Sequence, residues 1–407
     1  MAPKAKAGPL AGITVIEVAM YAFVPVAGTI LSDMGAIVIK VEPVTGDPIR
    51  GLRTGTSDET AIELSWECYN RGKRSITLDL KHEDGRAVLM QLLGKADVFL
   101  TNLLPPARRS MGIDEAVLRP RFPNLIYACG SALGPHGPER EKGGYDAITF
   151  WARGGVSSAL TEPDAESPVG PPGPAFGDTL SGSMLAGGIC AAIAQRALTG
   201  VVSSVDVSLL NAGMWSMQRA IAQSTMEGVD RFPRPPRNRP NNVLSYNYKT
   251  SDGRFLALCM LQADKYWPRL CEVAGRPELA SDPRFVDAAA RRANTEDCLG
   301  ELVPLFASKS LAEWREILNQ QDGQWDVVQH VGEMHADPQA MANNYIQTVR
   351  CTAGIDVPMV SVPMMFDGKA LPAGVSPDVG AHSDEILAAA GYDEDAIIDL
   401  KVKGVVF

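Results

Sequence analysis

Two short apolar runs rich in β-branched residues, ITVIEVA (Ile13 to Ala19) and AIVIKVE (Ala36 to Glu42), enclose a stretch from Val24 to Asp33 whose apolar residues recur at helical spacing. A strand that is apolar throughout is buried on both faces, and two such strands joined by a helix form the crossover unit of a parallel sheet. The alternation continues through SITLDL, the helix-favouring segment Glu83 to Leu93, ADVFLTNL and LIYACGSA. This predicts an α/β domain of nucleotide-binding type. Such sheets bind ligands at the carboxyl ends of their strands, where the loop Met20 to Val26 is expected. That loop lacks GxGxxG, so nothing in it supports a nicotinamide or flavin cofactor.

The second informative stretch runs from Gly170 to Gly200. Its first eight residues, GPPGPAFG, exclude helix and central strand and form a shaped loop. From Leu180 the spacing of Leu180, Met184, Ile189 and Ile193, with alanine and glycine between, predicts a tightly packed helix. Asp178 stands at the junction, as an N-cap or first-turn residue. The plainest role for it is a helix cap. The alternative is a nucleophile, held ionised by the helix dipole and backbone N–H groups, because Gly177, Ser181, Gly182 and Ser183 leave room for another molecule to approach.

Tyr145 and Asp146, after Gly143-Gly144, begin another expected helix, either as cap and packing residue or as a phenol and second carboxylate facing Asp178. Lys73-Arg74 precede a strand, and Arg108-Arg109 follow Asn102 and the Pro105-Pro106 break. Each basic pair is either a solvated edge or a phosphate clamp, since arginine binds phosphate through a bidentate fork and lysine as a point charge.

At 407 residues the chain is expected to hold two globular units. Seven scattered cysteines, without CxxC or Cys/His ligand spacing, argue for reduced thiols and against structural zinc. An excess of 48 acidic over 38 basic residues disfavours nucleic acid and anionic membranes as partners, so an anionic ligand must meet a local basic cluster. No secretory signal and no membrane-spanning run is expected; Met184 to Ala194 is too short. A cytoplasmic location follows as an expectation. The expected organisation is a large α/β domain over 1–225, a Pro/Arg-rich linker over 226–242, and a smaller α+β domain over 243–325 with a hairpin around Ser251-Asp252-Gly253. Residues 326–407 then return to the large domain and end in a helix at Gly380 to Tyr392 capped by Ser383.

Taken in order, PLAGITVIEVA, LSDMGAIVIKVEPVTGDPIRG, NRGKRSITLDLK, ADVFLTN, GGYDAIT, PAFGDTLSG, VDVSLL and VGAHSDEIL cover nearly the whole chain and resemble the class III CoA-transferases. That family includes formyl-CoA transferase, carnitine CoA-transferase and the divergent α-methylacyl-CoA racemases. The resemblance implies a Rossmann-like large domain built from N- and C-terminal parts and an interlocked, ring-like homodimer. It further implies acyl-CoA and carboxylic acid substrates, with coenzyme A as co-substrate and no tightly bound cofactor. It puts Asp178 in the role of nucleophile, which forms a mixed anhydride and then an aspartyl thioester with CoA. Each step preserves the energy of the acyl bond, so neither ATP nor metal is needed. Tyr145 and Asp146 match a pair beside the reacting centre, and the loop carrying Tyr21 and Ala22 lies along the cofactor. Lys73, Arg74, Asn102 and Leu103, with Arg108 and Arg109 as a second candidate cluster, match the CoA-lining blocks.

The chain also departs from the family. The racemase branch has histidine where Tyr145 stands, and a phenol with pKa near 10 is a poor base at neutral pH, so racemisation is disfavoured. The Gly-rich loop of formyl-CoA transferase is replaced by Asn238 to Phe255, which argues against formyl-CoA and oxalate as substrates. Ser110 stands where some relatives carry arginine. The alternatives left open are an α-methylacyl-CoA racemase, an intramolecular CoA-ester isomerase, and a non-catalytic CoA-binding protein of the same fold. Trp66, Tyr69, Phe150 and Trp151 are candidates for the acyl pocket or for plain core.

Overall fold

The computed structural model describes residues 7–52, 62–232 and 239–407. The chain divides into two compact units, Met1–Phe232 with Pro338–Phe407, and Pro233–Asp337. In the first unit the elements run β1 (Thr14–Val18), α1 (Phe23–Asp33), β2 (Ile37–Glu42), α2 (Leu64–Asn70), β3 (Arg74–Thr77), α3 (Glu83–Leu93), β4 (Val98–Thr101), α4 (Pro105–Met111), α5 (Glu115–Arg121) and β5 (Ile126–Ser131). A π-helix (Ala147–Arg153), α6 (Val156–Leu160), α7 (Phe176–Thr199), β6 (Val205–Ser208), α8 (Leu209–Ser216) and α9 (Gln218–Glu227) follow.

The six strands form one parallel sheet in the order β3-β2-β1-β4-β5-β6. Neighbouring side chains on a strand go to opposite faces, and both faces are covered. Val15, Val38, Val98 and Ile126 join α1 and α7 in one core, while Ile16, Ile39, Phe99 and Tyr127 join α3 and the C-terminal helices in the other. This double burial explains why the strands read as continuous apolar runs. The order reverses direction between β1 and β4, and the carboxyl ends of those two strands open a crevice there.

The sequence expects no membrane-spanning run, yet α7 has 24 residues and is apolar enough to reach that length. Its face of Gly177, Ser181, Gly182, Leu185, Ala186, Ile189 and Ala192 is buried in the first unit. The approach to α1 is close enough that a Cβ on Gly182 would lie 2.6 Å from the Phe23 carbonyl oxygen.

In the second unit, β7 (Asn247–Lys249), β8 (Phe255–Leu258) and β9 (Trp325–Val327) form an antiparallel sheet. It packs with α10 (Ala263–Val273), α11 (Ala288–Ala293), α12 (Thr295–Ala307) and α13 (Leu311–Leu318) around Tyr248, Trp267, Phe285, Phe306 and Trp314. The unit extends past the expected limit at 325, because a bidentate Arg254–Glu333 pair ties the 3-10 turn Val331–Ala336 to the hairpin. Part of the expected linker over 226–242, residues 233–238, lies outside the described residues.

The chain re-enters the first unit through α14 (Pro338–Ala342), two small antiparallel ribbons, β10 (Ile346–Arg350) with β11 (Asp356–Val360) and β12 (Met365–Phe366) with β13 (Lys369–Ala370), and then α15 (Ser383–Ala390) and α16 (Glu394–Val402). The Phe407 N–H donates to Thr77 Oγ1 at 2.7 Å and the His382 N–H to the Ser75 carbonyl at 3.0 Å, fastening this segment to β3. One local expectation is corrected. Ser383 is the first helical residue rather than the cap; His382 precedes it, and the buried Ser383 hydroxyl has no hydrogen-bond partner among the described residues. Past β6 the helical segment breaks at Met217 into α8 and α9.

Candidate active site

The loop between β1 and α1 is fixed before any ligand arrives. Asn102, just past β4, accepts from the Met20 N–H at 3.0 Å and donates to the Met20 carbonyl at 2.7 Å. Tyr21 has a left-handed backbone, φ 64°, which a side-chain-bearing residue keeps only when its surroundings enforce it. Asp47 does so, accepting the Tyr21 N–H at 3.1 Å. Asp47 is held in turn by a buried charge network, in which Lys40 pairs with it at 2.9 Å and with Glu17 at 3.1 Å, and Lys73 pairs with Glu17 at 2.9 Å.

Asp178 lies in the first turn of α7 and is half-buried. It caps nothing. Ala175, itself left-handed with φ 56°, precedes the helix, and the buried Asp146 fills the cap from outside by accepting the Gly177 N–H at 2.8 Å. The expectation that backbone donors would hold Asp178 ionised is therefore overturned. Burial, and then the neighbouring Asp146 carboxylate, push the Asp178 carboxyl up to about 7. Burial also raises the Asp146 carboxyl. Tyr69 stands close by, with its hydroxyl pushed up to about 12 by burial.

One cavity of about 640 Å³ joins Asp178 to the sheet crevice, lined there by Met20, Tyr21 and Asn102. Arg108, Arg109, Arg140 and Lys142 also line it. Arg108 is aimed by two bonds, to the Tyr127 hydroxyl at 3.0 Å and to the Cys129 sulfur at 3.2 Å, and its buried Nε has no partner among the described residues. Arg109 pairs with Glu141 and Lys142 with Glu139, whereas Arg140 has no ion pair among the described residues. Four cations, the two carboxyls of Asp178 and Asp206, and an apolar wall that includes Phe23, Leu104 and Ile148 suit an elongated ligand with anionic and acyl portions.

Of the residues singled out from sequence, Asp178, Tyr145, Tyr21, Asn102, Leu103, Arg108 and Arg109 line this cavity. Asp146 sits behind it and Ala22 is buried at the start of α1. Lys73 is corrected. Its ammonium is fully buried and engaged by Glu17, the Pro25 carbonyl and Asn70, and burial lowers its pKa to about 8. A phosphate cannot reach it in this arrangement. Arg74, mostly covered, pairs with Glu385 and lies outside the cavity. Trp66, Phe150 and Trp151 are core, and Trp66 carries the Arg50 guanidinium 3.3 Å from its ring centroid. Sequence reasoning missed Arg140, Lys142 and Cys129. The signal available for the first two was a pair of cations, alternating with Glu139 and Glu141, in the Gly/Pro-punctuated segment Gly134 to Gly144.

The model of CoA-transferase family III matches residues 10–383. The chain is 31% identical over 401 residues to (R)-2-hydroxy-4-methylpentanoate CoA-transferase of Clostridioides difficile, covering 98% of this chain and 99% of that protein. It is 30% identical to cinnamoyl-CoA:phenyllactate CoA-transferase of Clostridium sporogenes, covering 96% and 95% respectively. Among solved structures, a CaiB/BaiF family protein from Brucella suis superimposes with a TM-score of 0.81 at 28% identity, covering 94% of this chain and 99% of that one.

Proposed function

The chain belongs to CoA-transferase family III, and from that premise we propose that it moves CoA from an acyl-CoA thioester to a carboxylic acid, with Asp178 as the covalent nucleophile. The observation that carries this reading is a single cavity that holds a reachable carboxyl together with four cations at the switch point of the sheet. The Asp178 carboxylate attacks the thioester carbonyl, the C–S bond breaks, and CoA departs as thiolate from a mixed anhydride. The thiolate attacks the aspartyl carbonyl, releasing the donor acid and leaving an aspartyl-CoA thioester. The acceptor carboxylate then displaces the thiolate, which attacks the acceptor carbonyl of the second anhydride and restores Asp178.

In this reading Arg108, Arg109, Arg140 and Lys142 meet the CoA phosphates, a role that buried Lys73 cannot take. The Gly177 N–H at the start of α7 is occupied by Asp146, which favours the Gly143-Gly144 loop as the source of oxyanion donors. Relatives named for oxalate, D-citramalate, L-malate and glutarate supply a panel of acceptor acids. We further infer a cytoplasmic homodimer whose substrates are small molecules.

Intact mass spectrometry with a panel of acyl-CoA esters, followed by hydroxylamine or borohydride trapping, tests the mechanism. The expected result is modification at Asp178 in wild type and none in Asp178→Ala. CoA binding without any adduct would defeat it, and α-proton exchange in deuterated water would then identify a racemase.

A further inference from the structure

The cations answer to phosphates and Asp178 to the acyl carbonyl, which leaves two phenols in the cavity without a task. Tyr21 and Tyr145 both line it, their rings meeting edge-on with centroids 5.6 Å apart and planes at 88°. Tyr145 is 60% exposed, so the pair is open to whatever enters. The pair is also rigid on its Tyr21 side, where Asp47 and the Asn102 clamp enforce a left-handed backbone.

Each phenol hydroxyl offers one O–H donor and lone pairs that accept. Such a pair complements a neutral group that both donates and accepts, and it offers a charged group no countercharge. Its position limits where that group sits on the substrate. Tyr145 precedes Asp146, whose carboxylate accepts the N–H of Gly177, the residue before Asp178, and both phenols line the same cavity as the nucleophile. The recognised group therefore lies within a few carbons of the carbonyl that Asp178 attacks.

We propose that Tyr21 and Tyr145 form a hydroxyl-recognising pair that makes hydroxy acids and their CoA esters the favoured substrates over the same acids lacking the hydroxyl. This rests on the CoA-transfer reading of the same cavity. A site that hydrogen-bonds a substrate hydroxyl discriminates against the analogue lacking it, because its own polar groups are left unpaired.

The test is steady-state CoA transfer to matched acids, lactate against propionate and 2-hydroxyhexanoate against hexanoate, by wild type, Tyr21→Phe and Tyr145→Phe. Each variant keeps its ring and loses only the hydroxyl. Wild type is expected to favour the hydroxy acid in kcat/KM, and each variant to lose about tenfold of that preference, chiefly through a raised KM for the hydroxy acid. A purely structural role would move both acids of a pair together. Transfer with no hydroxyl preference in wild type, or with a preference that survives both substitutions, overturns the assignment alone. Absence of transfer to every acid overturns the CoA-transfer reading and the assignment with it.

Discussion

Asp178 shows how one residue can carry opposite expectations from its neighbours in sequence and in space. By position it is a helix-start carboxylate, yet Asp146 takes the Gly177 N–H and leaves it half-buried beside a second carboxyl, with its pKa at about 7. As a nucleophile it works only when ionised, so kcat/KM is expected to rise about tenfold per pH unit below 7 and to level off above it. A profile flat from pH 5 to 8 would contradict this. The same shift bears on stability. A carboxyl whose pKa is higher folded than unfolded weakens the fold progressively as pH rises from about 4 to 7, and the loss is complete above 7. Asp178→Asn should therefore be more stable than wild type at pH 8, by up to about 4 kcal/mol, with the gain fading toward pH 4. Denaturant melts at the two pH values would reveal it.

At the scale of elements, α7 presents its N-terminus to the cavity and its small-residue face to α1. A methyl at Gly182 would meet the Phe23 carbonyl oxygen at 2.6 Å and Val26 at 2.7 Å. Gly182→Ala should cost about 1 to 3 kcal/mol and disturb the loop that holds Tyr21. Gly187, in the same helix, has nothing within 4 Å of its would-be Cβ, and there alanine should add about 1 kcal/mol through helix propensity. Thermal unfolding of the two variants in parallel checks the contrast, and equal effects would argue against helix contact as the cause. The glycine and alanine content of this segment was readable as tight packing, but which glycine meets the partner helix depends on the rotation of α7 about its axis.

For the molecule as a whole, the last residues matter more than their place in the chain suggests. Val405 and Val406 are each 1% exposed, buried with α3 and α16 beneath the sheet, and Phe407 bonds to Thr77. Deleting 405–407 removes two buried valines and should cost about 3 to 5 kcal/mol, read as a lower Tm. The opposite feature is α9, which buries none of its residues in the single chain, next to Trp215 at 62% exposed. An uncovered helix of this kind supports the proposed homodimer. Light scattering is expected to give twice the 43.5 kDa chain mass, and Trp215→Glu to shift the mass toward one chain. A monomeric wild type would end that reading.

Sequence alone determined the parallel α/β architecture, since runs such as ITVIEVA and AIVIKVE can satisfy their side chains only when buried on both faces of a sheet. It also singled out Asp178, because a carboxyl among glycines and serines after a proline loop is locally distinctive. What it could not decide was which charges face each other. Lys73 reads as a free cation in the chain and becomes the buried partner of Glu17, 56 residues away, whereas Arg140 and Lys142, unremarked in an ordinary loop, come to line the cavity. Likewise the cap of α7 comes from Asp146, 31 residues before Gly177. Local pattern records propensity and burial, which are properties of a segment. Ion pairing, capping across segments and the pKa of Asp178 depend on distances that exist only once the chain has closed on itself.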